Sequence, residues 1–60
     1  MIKIAVDAMG GDNSPEKVIN GIIYHYSSSK NVYYKIFGDE IRINKFLNKK
    51  IKKECYEIVN

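Results

Sequence analysis

The chain has 60 residues, a net charge of +3 at pH 7 and a single cysteine. One cysteine excludes an intramolecular disulfide, and no Cys/His spacing suggests structural zinc. The first apolar run stops at Asp7, so no signal peptide is predicted, and no run approaches the ~20 apolar residues that span a bilayer. A chain of this length makes at most one domain, which buries only about 60% of the surface that its unfolded form exposes.

Residues 2–6, Ile-Lys-Ile-Ala-Val, predict a β-strand. Ile2, Ile4 and Val6 point to one face, and only Lys3 interrupts the other face before Ala5. A short, nearly all-apolar run that ends in a glycine turn is typical of a strand buried on both sides in a parallel sheet.

The next six residues are Asp7-Ala8-Met9-Gly10-Gly11-Asp12, and they lead into Asn13-Ser14-Pro15-Glu16, which is a helix-start signal. A strand that turns into a helix N-terminus collects free backbone N–H groups and the positive end of the helix dipole, which suits an anion such as phosphate. The two glycines permit close backbone approach and positive φ. Neither the dinucleotide-binding glycine pattern nor a Walker A loop is present.

Asp7 and Asp12 conflict with a simple phosphate site, because each would repel the anion by about 1–4 kcal/mol at about 4 Å. They could hold a cation that holds the phosphate, accept N–H bonds that fix the loop, or orient a hydroxyl or thiol substrate. A purely structural role, in which Asp7 ends the strand and Asp12 caps the turn, stays open as well.

The first helix is predicted over residues 15–26, with Ser14 as N-cap and Pro15 in the first helical position. Its apolar positions recur at helical spacing and form one face. They are Val18, Ile19, Ile22, Ile23 and Tyr26. Residues 27–31, Ser-Ser-Ser-Lys-Asn, favour a loop.

Residues 32–37 predict a second strand, and Asp39 is the expected N-cap of a second helix that ends near Asn48. The apolar stripe of that helix is Ile43, Phe46 and Leu47, and its other side carries Arg42, Lys45 and Lys49. Residues 55–59 predict a third strand.

This order of elements predicts an α/β fold, a βαβαβ unit with a parallel sheet and right-handed crossovers. Two helices cannot cover both faces of a three-stranded parallel sheet. We therefore expect a fragment of a larger α/β protein, or a protomer whose sheet a partner covers.

Three further features need an assignment. His25 lies at the edge of the first helix's apolar stripe, where packing or exposure is expected, and Cys55 is expected to be a small buried apolar residue. Five lysines crowd into nine residues and could bind an acidic carrier protein, an anionic lipid surface or nucleic acid, or form a solvated face. They are Lys45, Lys49, Lys50, Lys52 and Lys53. Nucleic acid is not predicted, because Tyr33 and Tyr34 alternate faces of a strand instead of forming a stacking surface.

Residues 2–12 closely resemble the start of the bacterial phosphate acyltransferases of fatty acid and phospholipid synthesis (the PlsX family). Pro15, the apolar helix with Gly21, and residues 37–40 and 56–59 match the family's next elements in order. The similarity runs the length of this chain but covers only the first part of a much longer family sequence. Family members commonly carry His-Ala where this chain has Asn13-Ser14, and an asparagine cannot act as an acid or base near neutral pH.

The resemblance implies a doubly wound fold related to the isocitrate and isopropylmalate dehydrogenases, with residues 1–60 as the N-terminal part of a single acyltransferase domain. It implies an enzyme that moves a fatty acyl group from acyl carrier protein to inorganic phosphate, giving acyl phosphate for phospholipid synthesis. The residues expected to bind substrate or phosphate are Asp7, Gly10, Gly11, Asp12, Asn13 and Ser14. No catalytic residue, metal ligand or cofactor is assigned.

The missing targeting signals and the lone cysteine predict a cytoplasmic location, and the resemblance implies a homodimer that associates peripherally with the membrane. We expect the isolated 60 residues to be inactive even if the longer protein is the enzyme. The alternative from a different class is a truncated remnant, or a small α/β binding module, with no catalysis of its own.

Overall fold

The computed structural model describes residues 1–29 and 31–60 and contains one three-stranded parallel sheet. The strands are β1 (Ile2–Asp7), β2 (Val32–Phe37) and β3 (Tyr56–Val59), and β2 lies in the centre. In the register, Ile4 lies opposite Tyr34, and Tyr34 lies opposite Tyr56. The predicted βαβαβ order and parallel sheet are confirmed.

Both helices, α1 (Glu16–Ser28) and α2 (Glu40–Leu47), pack on the same face of the sheet and on each other. This follows from the strand order, because two right-handed crossovers that run in the same direction place their helices on one side. The predicted apolar stripes form the core between helices and sheet. Its buried residues include Ile19, Ile22, Tyr34, Ile36, Ile43 and Leu47.

The opposite face of the sheet carries no helix in the described part of the chain. Ala5, Lys35 and Phe37 are exposed there, and the Tyr33 hydroxyl donates to Glu57 Oε1 at 3.1 Å. The prediction that two helices leave one face uncovered is confirmed. The prediction that β1 is buried on both sides is wrong for these residues, since burial of its second face would require further chain or a partner.

Helix α1 differs from its prediction at both ends. Pro15, not Ser14, is the N-cap residue, and no side chain caps this end. The Ser14 hydroxyl instead donates to the carbonyl of Gly10. At the other end the helix includes Ser27 and Ser28, and their hydroxyls donate to the carbonyls of Tyr24 and His25, three residues earlier. The predicted loop over residues 27–31 is therefore wrong for these two serines, and its Lys30 lies outside the described residues.

The predicted start and end of α2 are confirmed. Asp39 is its N-cap, and Asn48 ends it in the left-handed conformation with φ 45°. The chain then turns so that Ile51 enters the core, a burial that the helical pattern did not predict. Cys55 is buried, as predicted, but it closes a 3-10 turn (Lys53–Cys55) and β3 begins one residue later.

Within the described residues, neither helix has the length and apolar character needed to cross a membrane.

Candidate functional site

The chain that leaves each strand gathers at one edge of the sheet, because the strands are parallel. Ala8 N donates to Phe37 O at 2.9 Å, and Gly38 N donates to Val59 O at 2.9 Å. These bonds continue the sheet past the strand ends. The first joins the start of the loop after β1 to the end of β2, and the second joins the start of the loop after β2 to the end of β3. Ligands of open α/β sheets bind at this carboxyl edge, which makes it the candidate site.

Asp7 fixes the beginning of the loop after β1, which we call the exit loop (residues 8–15). Its Oδ1 accepts a hydrogen bond from Met9 N at 3.0 Å. The sequence left several roles open for Asp7, and the structure shows one of them: the carboxylate accepts a hydrogen bond from an N–H group of the loop. One carboxylate oxygen is therefore engaged within the turn.

Only one of the two turn glycines uses the left-handed backbone. Gly11 has φ +88°, a conformation that L side chains rarely adopt, whereas Gly10 is not among the glycines with positive φ. A Cβ built on Gly11 would meet no atom within 4 Å. The requirement at Gly11 is thus conformational and not one of space. Of the two glycines that permit positive φ, Gly11 therefore adopts it and Gly10 does not.

The second half of the exit loop leads into the first turn of α1. Asn13 has φ 63°, and its carbonyl accepts from Lys17 N at 3.1 Å. Asp12 is exposed, and its carboxylate accepts no hydrogen bond from any residue in ranges 1–29 and 31–60, so it does not cap the turn. The asparagine and the aspartate thus present their side chains at the surface of the edge.

The exit loop interlocks with the loop after β2 through Met9 and Gly38. A Cβ on Gly38 would lie 2.7 Å from Met9 Cγ and 2.9 Å from its Sδ, and Gly38 has φ +154°. Glycine is required at this position because the methionine side chain occupies the space where a side chain would lie. Met9 belongs to the segment 2–12 and Gly38 to the segment 37–40, both of which resemble the family named above. These two segments are therefore in contact.

Arg42 connects α2 to the exit loop, and the sequence analysis missed it by placing it on an outer polar face. Asp39 Oδ1 accepts from Ile41 N at 3.0 Å and from Arg42 N at 3.4 Å, which fixes the first turn of α2. From that turn, Arg42 Nη2 donates to the Ser14 carbonyl at 3.1 Å. The available signal was its position three residues after an N-cap, since a helix that follows a strand begins at the carboxyl edge.

A cavity of about 250 Å³ opens where α2 meets the exit loop. Asn13, Ser14 and Glu16 line it from the side of α1, and Arg42 and Lys45 line it from α2. Of the six predicted site residues, the cavity includes Asn13 and Ser14. Gly10, Gly11 and Asp12 belong to the exit loop and Asp7 ends β1 just before it, but these four residues do not line the cavity.

His25 lies away from this edge, near the end of α1. Its Nδ1 is 2.6 Å from the Tyr34 hydroxyl, and the two rings meet edge to face. Burial raises the pKa of Tyr34, with further contributions from Cys55 and Tyr26. The pair joins α1 to the sheet although His25 is exposed, so the packing and the exposure expected for this residue are both present.

The five lysines are exposed, and Lys49 and Lys53 line a groove of about 480 Å³ beside α2 and β3. In the described part of the chain, no group of three or more His, Cys, Asp or Glu residues is arranged to hold a metal ion.

A family model described as "Fatty acid synthesis protein" matches residues 2–60. The chain belongs to this family. It is 52% identical over all 60 residues to a phosphate acyltransferase of Pelagibacter ubique, of which the match covers 18%. It is also 43% identical over 51 residues to a phosphate acyltransferase of Listeria monocytogenes, covering 85% of this chain and 15% of that protein.

A phosphate acyltransferase of Streptococcus uberis is 43% identical over 47 residues, which is 78% of this chain and 14% of that protein. The chain thus spans less than a fifth of the length of these relatives. Family membership confirms the resemblance stated on the glycine turn and its neighbours.

Proposed function

We propose that this chain is the N-terminal part of a phosphate acyltransferase domain that transfers a fatty acyl group from acyl carrier protein to inorganic phosphate. The observation that carries the proposal is the exit loop, whose family motif lies at the carboxyl edge of a parallel sheet, beside a helix N-terminus and a cavity. The names of the relatives support the acyltransferase class, and the acyl carrier protein is proposed as the donor.

In the proposed reaction, a phosphate oxygen attacks the carbonyl carbon of the acyl thioester. A C–O bond forms, the C–S bond breaks, and the carrier leaves as a thiol after taking up a proton. The products are acyl phosphate and the free carrier. Such an attack needs phosphate held beside the carbonyl and donors aimed at the developing oxyanion.

The exit loop is suited to the first of these tasks. We assign one wall of the phosphate site to Asp7, Gly10, Gly11, Asp12, Asn13 and Ser14. Gly11 supplies the backbone turn, and the amide of Asn13 donates hydrogen bonds without exchanging protons. Oxyanion donors and the remaining walls are assigned to the longer protein.

The test is acyl transfer by the full-length protein that carries this segment. Acyl phosphate is trapped with hydroxylamine while release of the carrier thiol is followed, and hydrogen exchange of residues 7–15 is compared with and without phosphate. We expect turnover that requires phosphate, and slower exchange in the exit loop when phosphate is bound. Thioester cleavage without acyl phosphate, or exchange that phosphate leaves unchanged, would contradict the proposal.

Two glycine variants sharpen this test. Gly11→Ala forces a side chain into a left-handed conformation at the proposed site and is expected to weaken phosphate binding. Gly21→Ala makes the same chemical change on α1, where a Cβ meets nothing within 4 Å and φ is not positive. This control is expected to retain full activity.

A further inference from the structure

Arg42 has a contact that its place on an exposed helix face does not require. Its guanidinium lies against the exit loop and donates to the Ser14 carbonyl, 28 positions earlier in the chain. We propose that Arg42 is a positioning residue for the phosphate site, which it shapes through the backbone of residues 13–15. The inference rests on the proposed function, because it assigns a role within that site.

The residues that precede Arg42 fix the position of its backbone. The backbone N–H of Arg42 donates to the side chain of Asp39, the N-cap of α2, and Gly38, the residue before that cap, lies against Met9 of the exit loop. The guanidinium therefore starts from a fixed first turn. Helix α1 begins without a side-chain cap, and among the described residues Arg42 is the side chain from another element that donates a hydrogen bond to this end of the exit loop.

The charges around the cavity make the same residue important for an anion. Arg42 and Lys45 each contribute +1, and Glu16 contributes −1. The lining is net positive only while both cations are present. A guanidinium carries five N–H donors, so the bond to the Ser14 carbonyl leaves donors free at the cavity.

Lys45 provides a matched control. It lines the same cavity and carries the same charge, but its Nζ lies 5.7 Å from the centre of the Phe46 ring and makes no hydrogen bond to the exit loop among the described residues. A purely electrostatic role would make the two cations equivalent, whereas a positioning role would not.

The experiment compares Arg42→Gln, Arg42→Lys and Lys45→Gln in the full-length protein. Without ligand, hydrogen exchange of residues 8–15 should be faster in Arg42→Gln than in the wild type, and unchanged in Lys45→Gln. In the transfer assay, Arg42→Gln should raise KM for phosphate about tenfold, the effect of one charge-assisted hydrogen bond at a partly exposed site, with kcat within about twofold. Arg42→Lys should recover part of that loss.

Each alternative has its own signature. Equal effects of Arg42→Gln and Lys45→Gln on KM would overturn the positioning role in favour of charge alone. A fall in kcat with unchanged KM would indicate lost folded protein and would also overturn it. If the wild type neither binds nor uses phosphate while Arg42→Gln still loosens the loop, the proposed function fails and the contact alone stands. If the wild type uses phosphate and Arg42→Gln changes neither readout, the inference about Arg42 fails by itself.

Discussion

Replacing Gly38 by alanine tests whether the two loops at the carboxyl edge are interlocked as described. The new Cβ would lie 2.7 Å from Met9 Cγ, closer than real Cβ contacts, and 3.0 Å from Ile43 Cδ1, which is tighter than most of them. The residue would also have to keep φ +154°. Two independent penalties therefore act at one position.

Their sizes follow from the type of strain. A non-glycine residue in such a backbone conformation costs about 1–3 kcal/mol, and overpacking costs about 1–3 kcal/mol. The lower entropy of the unfolded chain offsets about 0.4–1 kcal/mol. We expect Gly38→Ala to lower the free energy of unfolding by about 1–6 kcal/mol, which is a large part of the stability of a small domain.

Urea denaturation followed by far-UV circular dichroism measures this change. Gly21→Ala is the control, and it should raise stability by about 0.5–1 kcal/mol because alanine is the better helix former. Adding Met9→Ala to Gly38→Ala should recover the overpacking part but not the backbone part. Stability within about 0.5 kcal/mol of the wild type for Gly38→Ala would refute the packing of Met9 over this glycine.

Two further substitutions test the N-cap of α2 and the contact between α1 and the sheet. Asp39→Ala removes the acceptor for Ile41 N and Arg42 N and should cost about 1 kcal/mol, and Asp39→Asn should retain most of that stability; a loss equal to that of alanine would contradict the cap. Tyr34 should give the fold an alkaline limit, because burial raises its pKa above the ordinary tyrosine value of 10.0, so the folded state holds the proton more tightly. The stability that the raised pKa of Tyr34 contributes is fully present below pH 10 and is lost as the pH rises above that value. In urea titrations between pH 8 and 11, Tyr34→Phe should show a weaker alkaline loss, and an unchanged loss would rule out this source. The same variant should cost about 1 kcal/mol at neutral pH by removing the bond to His25.

Local signals predicted the elements well because each depends on neighbouring residues. The alternation of β2, the helical spacing of Ile19 and Ile22, and the cap at Asp39 are properties of a few adjacent residues, and all three were confirmed. Predictions failed where side chains had competing partners. Ser14 could have capped α1, but its hydroxyl bonds the Gly10 carbonyl instead.

The candidate site was predictable as a segment but not as an arrangement. Three local signals, a strand, a glycine turn and a helix start, predicted that residues 7–14 lie at a ligand-binding edge of the sheet. The family motif indicated the class of reaction. No periodicity could show that Arg42 reaches the Ser14 carbonyl, because that contact depends on how α2 packs beside α1.

By itself, the sequence determined the order of elements, the parallel sheet and the family to which the chain belongs, since all three are recorded in local pattern and motif. Only the tertiary structure decided that both helices lie on one face, that Met9 lies over Gly38, and that an arginine of α2 donates a hydrogen bond to the exit loop. These are contacts between residues distant in the chain. Their geometry depends on crossover handedness and on side-chain volume at the sheet edge, which a linear pattern does not contain.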